Sequence, residues 1–223
     1  MIPALIIWLC KKYIAPRIQK RTLFQKPTAL KIQLLTFVFM AVTTQLTAQQ
    51  QSSKYNIKRN GELIGQMYFT QKEDGASTFL KITSKVNTRF VFKIDVETED
   101  IAHFKNGRLI SSGVSRTVNG NAKEFKKTSL QDEVYQLQTG KKIKTLKQPI
   151  SYSMMLLYSK EPLNISEVYS DNFQCFVAVK NKGHHQYRIE LPDGNYNDYL
   201  FENGVCKTVT INHSLYTIKM EKV

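Results

Sequence analysis

Apolar and polar residues alternate along most of the chain after residue 48. The clearest case is the segment 90–99. One face would carry the side chains of Phe90, Phe92, Ile94, Val96 and Thr98. The positions between them are Lys93, Asp95, Glu97 and Glu99. Because successive side chains of a strand point to opposite faces, this period of two predicts strands that are buried on one side only.

Turn-forming dipeptides separate these alternating segments at short intervals. They are Asn60-Gly61, Asp74-Gly75, Asn106-Gly107, Asn119-Gly120, Thr139-Gly140, Lys182-Gly183, Asp193-Gly194 and Asn203-Gly204. Asn, Asp and Gly adopt the positive φ angles that two-residue hairpins need. We therefore predict an antiparallel meander of about nine or ten strands, arranged as a sandwich, a barrel or one strongly curved sheet.

The segment 151–159 is the exception, since it shows no alternation. It follows Pro149, ends before Pro162, and is apolar on nearly all sides, with Ser151 as a candidate cap. We predict a short helix that must be buried, and the concave face of the sheet is the available place. The predicted fold is mostly β: an antiparallel meander forming a curved sheet or incomplete barrel around one short apolar helix.

The first 48 residues have a different composition from the rest of the chain. They hold seven basic residues and no acidic one. Lys31 precedes an apolar run of about eleven residues and a small residue, Ala48, which is the order of a secretory signal peptide. We assign residues 31–48 to a signal peptide that is cleaved near Ala48/Gln49, and residues 49–223 to a single β-rich domain in the periplasm or outside the cell.

Residues 1–30 stand upstream of this signal and do not resemble one, because their apolar run precedes the basic residues instead of following them. One hypothesis is that the translation start lies further downstream, near Leu30. The alternative is an N-terminal membrane anchor.

The formal charge of +14 suggests nucleic-acid binding until it is divided along the chain. Beyond the leader, 25 basic residues face 18 acidic ones, and an exported protein rarely meets cellular nucleic acid. Seven lysines in neighbouring hairpins could form one positive stripe: Lys123, Lys126, Lys127, Lys141, Lys142, Lys144 and Lys147. Two interpretations stay open, namely contact with an anionic membrane surface and protection of exposed strand edges from pairing.

Motifs for enzymatic chemistry are missing from the sequence. It has no Gly-rich phosphate loop, no His-Glu-x-x-His and no Cys-x-x-Cys. The acidic run Asp95, Glu97, Glu99 and Asp100 contains paired carboxylates, but its period of two places the first three on the polar strand face. We expect no enzyme, no cofactor and no metal site.

Cys175 and Cys206 are candidates for a disulfide, because export leads to an oxidising compartment. However, Cys175 is in phase with the inward Val177, whereas Cys206 is out of phase with Val209. Two strands would also separate the cysteines in a simple meander. Disulfides need Cα atoms roughly 4.4–6.8 Å apart, so we favour a buried, free Cys175.

Several motifs together resemble a known family. They are Tyr55-x-Ile57-x-x-x-Gly61-x-x-Ile64-Gly65, Phe104-x-x-Gly107-x-Leu109, Pro149-Ile150-Ser151-Tyr152, Glu161-Pro162 and Leu191-Pro192-Asp193-Gly194. Over residues 52–222 the chain resembles an uncharacterised family of exported bacterial β-sheet proteins, a domain of unknown function. That family is similar in outline to the open barrels of the LolA/LolB lipoprotein carriers, which implies a curved sheet around an apolar cavity and no catalytic residues.

Two functions are consistent with these observations. The first is a non-enzymatic envelope protein that binds an apolar or amphipathic ligand between the sheet and the helix. Its candidate ligand-binding residues are Phe90, Phe92, Met154, Met155, Leu157 and Tyr158. The second is an interaction or scaffold module with an ordinary packed core, whose outer face or edge strands bind another envelope protein.

Overall fold

Fourteen antiparallel strands form one curved sheet in the computed structural model, which describes residues 49–89 and 93–223. The first eight strands are β1 (Gln50–Arg59), β2 (Glu62–Asp74), β3 (Ser77–Arg89), β4 (Lys93–Lys105), β5 (Arg108–Val118), β6 (Asn121–Gln131), β7 (Val134–Thr139) and β8 (Lys142–Leu146). The last six are β9 (Glu167–Ser170), β10 (Cys175–Gly183), β11 (Gln186–Glu190), β12 (Tyr196–Glu202), β13 (Val205–His213) and β14 (Tyr216–Lys222). The predictions for residues 1–30 and 31–48, and for Phe90 and Phe92, fall outside the described residues.

Neighbours in the sheet are neighbours in sequence, with one exception. The spatial order runs from β8 down to β1, then from β14 down to β9. The first and last strands therefore meet in the middle, where Ile57 of β1 pairs with Met220 of β14. Strands β8 and β9 are the two edges, so the sheet is curved but not closed into a barrel. The predicted fold class is confirmed.

The hairpin turns explain why the sequence undercounts the strands. All four Asn-Gly pairs have positive φ at both residues, as predicted; for Asn60-Gly61 the angles are 50° and 84°. Asp132-Glu133 adopts the same conformation without a glycine or an asparagine, and the Ser214-Leu215 connection between β13 and β14 also has neither. The predicted count of nine or ten strands is wrong because such turns carry no composition signal.

The apolar segment that follows β8 forms a five-residue 3-10 helix, Met154–Tyr158, and not a longer helix over 151–159. Ser153, not Ser151, precedes its first turn, and the Ser153 side chain makes no capping hydrogen bond. The first turn has no acidic residue and the last has no basic one, so no charged side chain interacts favourably with the helix dipole to stabilise a longer helix. Its predicted position against the concave face is confirmed, because Met155 and Leu157 are buried in the core cluster.

Side chains, instead of a backbone ladder, connect the two ends of the sheet. The turn between β9 and β10 lies against β6 and β7. There the Gln174 side-chain amide donates to the carbonyl oxygens of Lys127 (3.0 Å) and Gln138 (3.2 Å). The hydroxyls of Thr128 and Tyr169 are 2.9 Å apart. These contacts place the residues of the β9–β10 turn inside the curve of the sheet.

None of the helical segments between residues 49 and 223 that the structure describes has the length and apolar character needed to cross a membrane.

Candidate ligand-binding site

A cavity of about 500 Å³ lies between the concave face of the sheet and the 3-10 helix. Strands β1–β5 and β12–β14 form its wall. Typical apolar side chains of this wall are Met67, Ile82, Val96, Ile211, Ile218 and Met220. Ligand pockets usually measure about 300–1,000 Å³ and are lined mainly by apolar groups. The volume and the lining therefore match a small-molecule site.

The candidate ligand-binding residues are divided by the structure. Met154, Met155 and Tyr158 line the cavity from the helix side. Leu157 is fully buried in the packed core and does not line the cavity. Phe90 and Phe92 lie outside the described residues, but Ile94, Val96 and Thr98, which continue their alternation, all line the cavity.

Tyr158 forms the aromatic floor of the cavity. Its ring is 5.5 Å from the ring of Tyr55, 5.8 Å from that of Phe69 and 6.3 Å from that of Tyr199. Burial raises the pKa of the Tyr158 hydroxyl well above its usual value, so this tyrosine stays neutral.

Polar residues occupy one part of the cavity wall. Asp100 comes from β4, Asp171 and Asn172 come from the β9–β10 turn, and Asn197 comes from β12. Asp171 is only 6% exposed, yet neither of its carboxylate oxygens accepts a hydrogen bond of normal geometry. An unpaired buried polar group costs about 1–3 kcal/mol, more when it is charged, so this arrangement needs an explanation.

The surroundings of Asp171 raise the pKa of its carboxyl group, so that the group is only partly protonated at neutral pH. Burial raises its pKa to about 7, and the negative charge of Asp100 acts in the same direction. The hydroxyl of Ser112 opposes these effects by lowering the pKa. A carboxyl group that is half-protonated near pH 7 can lose its proton when a cation or a strong donor approaches.

Asp100 has a similar but smaller shift. Burial raises its pKa to about 6, Arg116 lowers it, and Glu124 and Glu99 raise it. One of its carboxylate oxygens, Oδ1, is buried without a partner. The negative charge of Asp100 contributes to the raised pKa of Asp171, and both carboxyl groups belong to the same part of the cavity wall.

The sequence carried a signal for Asp100 but none for Asp171. Asp100 is an even number of residues from Ile94, Val96 and Thr98, so its side chain lies on the same inward face of β4. Asp95, Glu97 and Glu99 point outward, as predicted. Lys85 and Lys81 form ion pairs with Glu97 and Glu99 on that outer face. Asp171 lies in a turn, and only the docking of that turn inside the sheet makes it part of the cavity.

The seven lysines do not form one stripe. Lys126 has an inward position on β6, where its ammonium is 2.6 Å from Glu124 and donates to the carbonyl oxygen of Asn172. Lys123 and Lys127 are exposed elsewhere on β6, and Lys141, Lys142, Lys144 and Lys147 are exposed at or beside the edge strand β8. Exposed lysines along an edge fit the interpretation that they prevent strand pairing.

Cys206 is fully buried, so its predicted outward position is wrong. The reason is a bulge: Phe201 pairs with Cys206 and Leu200 with Thr208, which leaves Lys207 unpaired and shifts the alternation by one residue. Burial raises the pKa of the Cys206 thiol to about 12. Cys175 is half-buried, and both cysteines are free thiols on β10 and β13.

Residues 55–223 match the protein family described as a domain of unknown function, DUF6134. The chain belongs to the DUF6134 family. This confirms the resemblance to an uncharacterised β-sheet family, while the likeness to LolA/LolB carriers stays a prediction. No curated protein matches the DUF6134 chain.

A solved structure shows the same fold as this DUF6134 protein. It is a β-barrel-like protein of another domain of unknown function, DUF1849, from Brucella abortus. The TM-score is 0.54 at 10% sequence identity, and the match covers 79% of this chain and 96% of the other. At this identity the likeness concerns the fold alone.

Proposed function

We propose that this protein is a non-enzymatic binding protein of the cell envelope that holds an apolar or amphipathic ligand inside its curved sheet. The observation that carries the proposal is the cavity of about 500 Å³ beneath the 3-10 helix. Protein interiors are close-packed, with few voids larger than a water molecule. The concave face therefore leaves a solvent-accessible space of ligand size that a fully packed core would fill.

The composition of the cavity wall supports a binding role over a catalytic one. Most of the described residues that line the cavity are apolar, as is usual for a site that binds an apolar ligand. Two flexible methionines, Met154 and Met155, come from the helix, and methionine adapts its shape to different apolar partners.

A neutral fluorescent probe tests the proposal. N-phenyl-1-naphthylamine brightens when it enters an apolar site. Val86 lines the cavity, whereas its neighbour Lys85 lies on the opposite, outer face of β3. We expect Val86→Trp to fill the cavity and abolish probe binding, while the matched control Lys85→Trp retains it.

Folding of both variants is checked by circular dichroism and thermal unfolding. Where Val86→Trp does not fold, Ser84→Phe, which fills the same wall, replaces it. Equal probe binding by folded cavity and control variants, or no binding by the unsubstituted chain, contradicts the proposal.

Export is part of the proposed function and rests on the signal-like pattern of residues 31–48. We expect the protein recovered from the envelope fraction of its cells to begin near Gln49. The intact mass measures this directly, and a mature species that retains residues 1–30 contradicts both the cleavage and the downstream start.

Protein–protein interaction is the second candidate, favoured by apolar side chains on the outer face of the sheet. Phe79, Ile101 and Phe125 are 40%, 49% and 56% exposed. The outer face is a better candidate surface than the edge strand β9, because a backbone N–H group of that edge is already used. The N–H of Tyr169 donates to the carbonyl oxygen of Tyr152 at 2.9 Å.

Ile101→Ser tests this second candidate, with Leu215→Ser at an exposed turn as its control. A partner protein that copurifies with the unsubstituted chain and with Leu215→Ser, but not with Ile101→Ser, supports the interaction. Equal recovery with both variants contradicts a role for this face.

A further inference from the structure

We infer that the cavity selects amphiphiles whose polar end is a primary ammonium group, bound between Asp171 and Asp100. This inference rests on the proposed function, because it names the class of ligand that the same cavity takes. It begins with the polar atoms of the cavity wall that have no partner.

All of the unpaired buried polar atoms in the described wall are acceptors. They are Asp100 Oδ1, Asp171 Oδ1, Asp171 Oδ2, Asn172 Oδ1 and Asn197 Oδ1. Buried acceptors are normally satisfied by a donor from protein, water or ligand. A ligand that completes this set must therefore donate several hydrogen bonds, and an ammonium group donates three.

Charge favours an ammonium group over a neutral donor. Asp171 faces Asp100 of β4 and the hydroxyl of Ser112 of β5, and no basic group compensates it directly. A buried carboxylate is stable only when it is paired or hydrogen-bonded. A ligand cation supplies the missing charge where Asp171 is 94% excluded from solvent.

The basic groups around Asp100 have other partners or reach solvent. Arg116 of β5 interacts with Asp100 but is exposed to water at the rim of the cavity. Lys126 of β6 is already paired with Glu124 and bonded to Asn172. These groups do not occupy the acceptors near Asp171, so the position between the carboxyls is available to a ligand.

The apolar remainder of the cavity would hold the tail of such an amphiphile. Val96, Ile211 and Ile218 belong to the same continuous wall as the acidic residues. A single alkyl chain with one terminal ammonium satisfies both parts, whereas a fatty acid with its head group in the same position would place its carboxylate against two carboxyl groups of the protein.

Displacement of bound N-phenyl-1-naphthylamine from the full chain tests the selectivity. The competitors are dodecylamine, 1-dodecanol and dodecanoic acid, which share one tail. At pH 8 we expect dodecylamine to displace the probe at a concentration about tenfold lower than the alcohol, with the acid weakest, because hydrogen bonds to charged groups are stronger than neutral ones. At pH 5 protonation of the carboxyls should remove most of this preference.

Asp171→Asn keeps the shape of the side chain and removes its charge. We expect this variant to bind dodecylamine about tenfold more weakly at pH 8, while its binding of 1-dodecanol is nearly unchanged. Asp132→Asn is the matched control, because this exposed turn residue has a φ of 46°, which asparagine also adopts. It should behave like the unsubstituted chain.

Three results overturn the inference: equal displacement by all three competitors, a tie between amine and alcohol, or the same loss in Asp171→Asn and Asp132→Asn. In each of them the probe still binds, so the proposed function stands without the headgroup preference. Failure of the probe itself to bind removes the proposed function and the inference together.

Discussion

Two buried carboxylates in this protein have opposite surroundings. Glu161 is 7% exposed and Asp171 is 6% exposed. Glu161 accepts a hydrogen bond from the Tyr187 hydroxyl at 2.7 Å and lies 2.9 Å from Nδ1 of His185. Asp171 accepts none of normal geometry.

The difference separates a structural polar group from a candidate site. A satisfied carboxylate such as Glu161 fixes the local fold, because removing a partner leaves a charge buried and unpaired. An unsatisfied one such as Asp171, which has only the Ser112 hydroxyl nearby, costs stability in the folded state and gains a charged partner when a ligand cation enters the cavity. The same contrast extends to apolar residues. Those of the packed core, such as Leu157, are surrounded by other side chains, whereas those of the cavity wall face open space.

The largest expected effect compares two positions of the 3-10 helix. Leu157→Ala removes a fully buried side chain and should lower the free energy of unfolding by about 3 kcal/mol. Met154→Ala, at a half-buried position that already faces the cavity, should cost about 1 kcal/mol. Urea unfolding measures both, and equal losses would show that the cavity is not a real void.

The second comparison removes a partner from the satisfied carboxylate. Tyr187→Phe deletes the hydroxyl that donates to Glu161 and should cost about 2 kcal/mol. Tyr68→Phe deletes an exposed hydroxyl that donates to Gln66 and should cost less than about 0.5 kcal/mol. A Tyr187→Phe variant as stable as Tyr68→Phe would mean that Glu161 has no structural role.

The third prediction concerns pH and the unsatisfied carboxylate. The folded-state pKa values of Asp171 and Asp100 are raised to about 7 and about 6, while an unfolded aspartate has a pKa near 3.8. Between about pH 4 and pH 7 the folded chain holds protons that the unfolded chain has released. The contribution of this pair to stability therefore falls as pH rises through that window and stays constant above it.

Asp171→Asn should flatten this profile and stabilise the protein at pH 8 by roughly 4 kcal/mol at most, with little effect near pH 4. Chemical unfolding at several pH values measures it, with Asp132→Asn as the control. A loss of stability at pH 8 would place Asp171 in the same structural class as Glu161.

The smallest effect contrasts two lysines. Lys126→Gln should cost about 1 kcal/mol, because the ammonium bridges Glu124 and the backbone of Asn172 near the cavity. Lys144→Gln, at an exposed edge position, should change stability by less than about 0.5 kcal/mol. Similar values for both would mean that the contacts of Lys126 with Glu124 and Asn172 do not stabilise the fold.

Much of the fold follows from local chemistry that a sequence displays. Alternation identifies the inward face of β4, and Asn-Gly pairs fix hairpins because few other residues adopt positive φ at both positions. The same rules fail at Asp132-Glu133, where tertiary pairing imposes the turn, and at Cys206, where a bulge after β12 reverses the parity. A bulge has no dependable composition signal in one sequence.

The candidate site was less predictable for a different reason. The alternation of side chains along β4 is enough to place Asp100 among the inward residues. Asp171 reaches the cavity because the β9–β10 turn docks on β6 and β7 through Gln174, a contact between residues about 36 to 47 positions apart. Such long-range contacts depend on the curvature of the whole sheet, which a local pattern does not encode.

The most direct test follows the side-chain carboxyl signals of Asp171 and Asp132 by ¹³C NMR across pH 4–9, with and without dodecylamine. The account predicts that Asp171 titrates near pH 7 in the free chain and that its pKa falls when the amine is bound, while Asp132 does not respond to the amine. An Asp171 that titrates near pH 4, or whose pKa is unchanged by saturating amine, would contradict the claim that the unpaired carboxyl is the ligand-binding group.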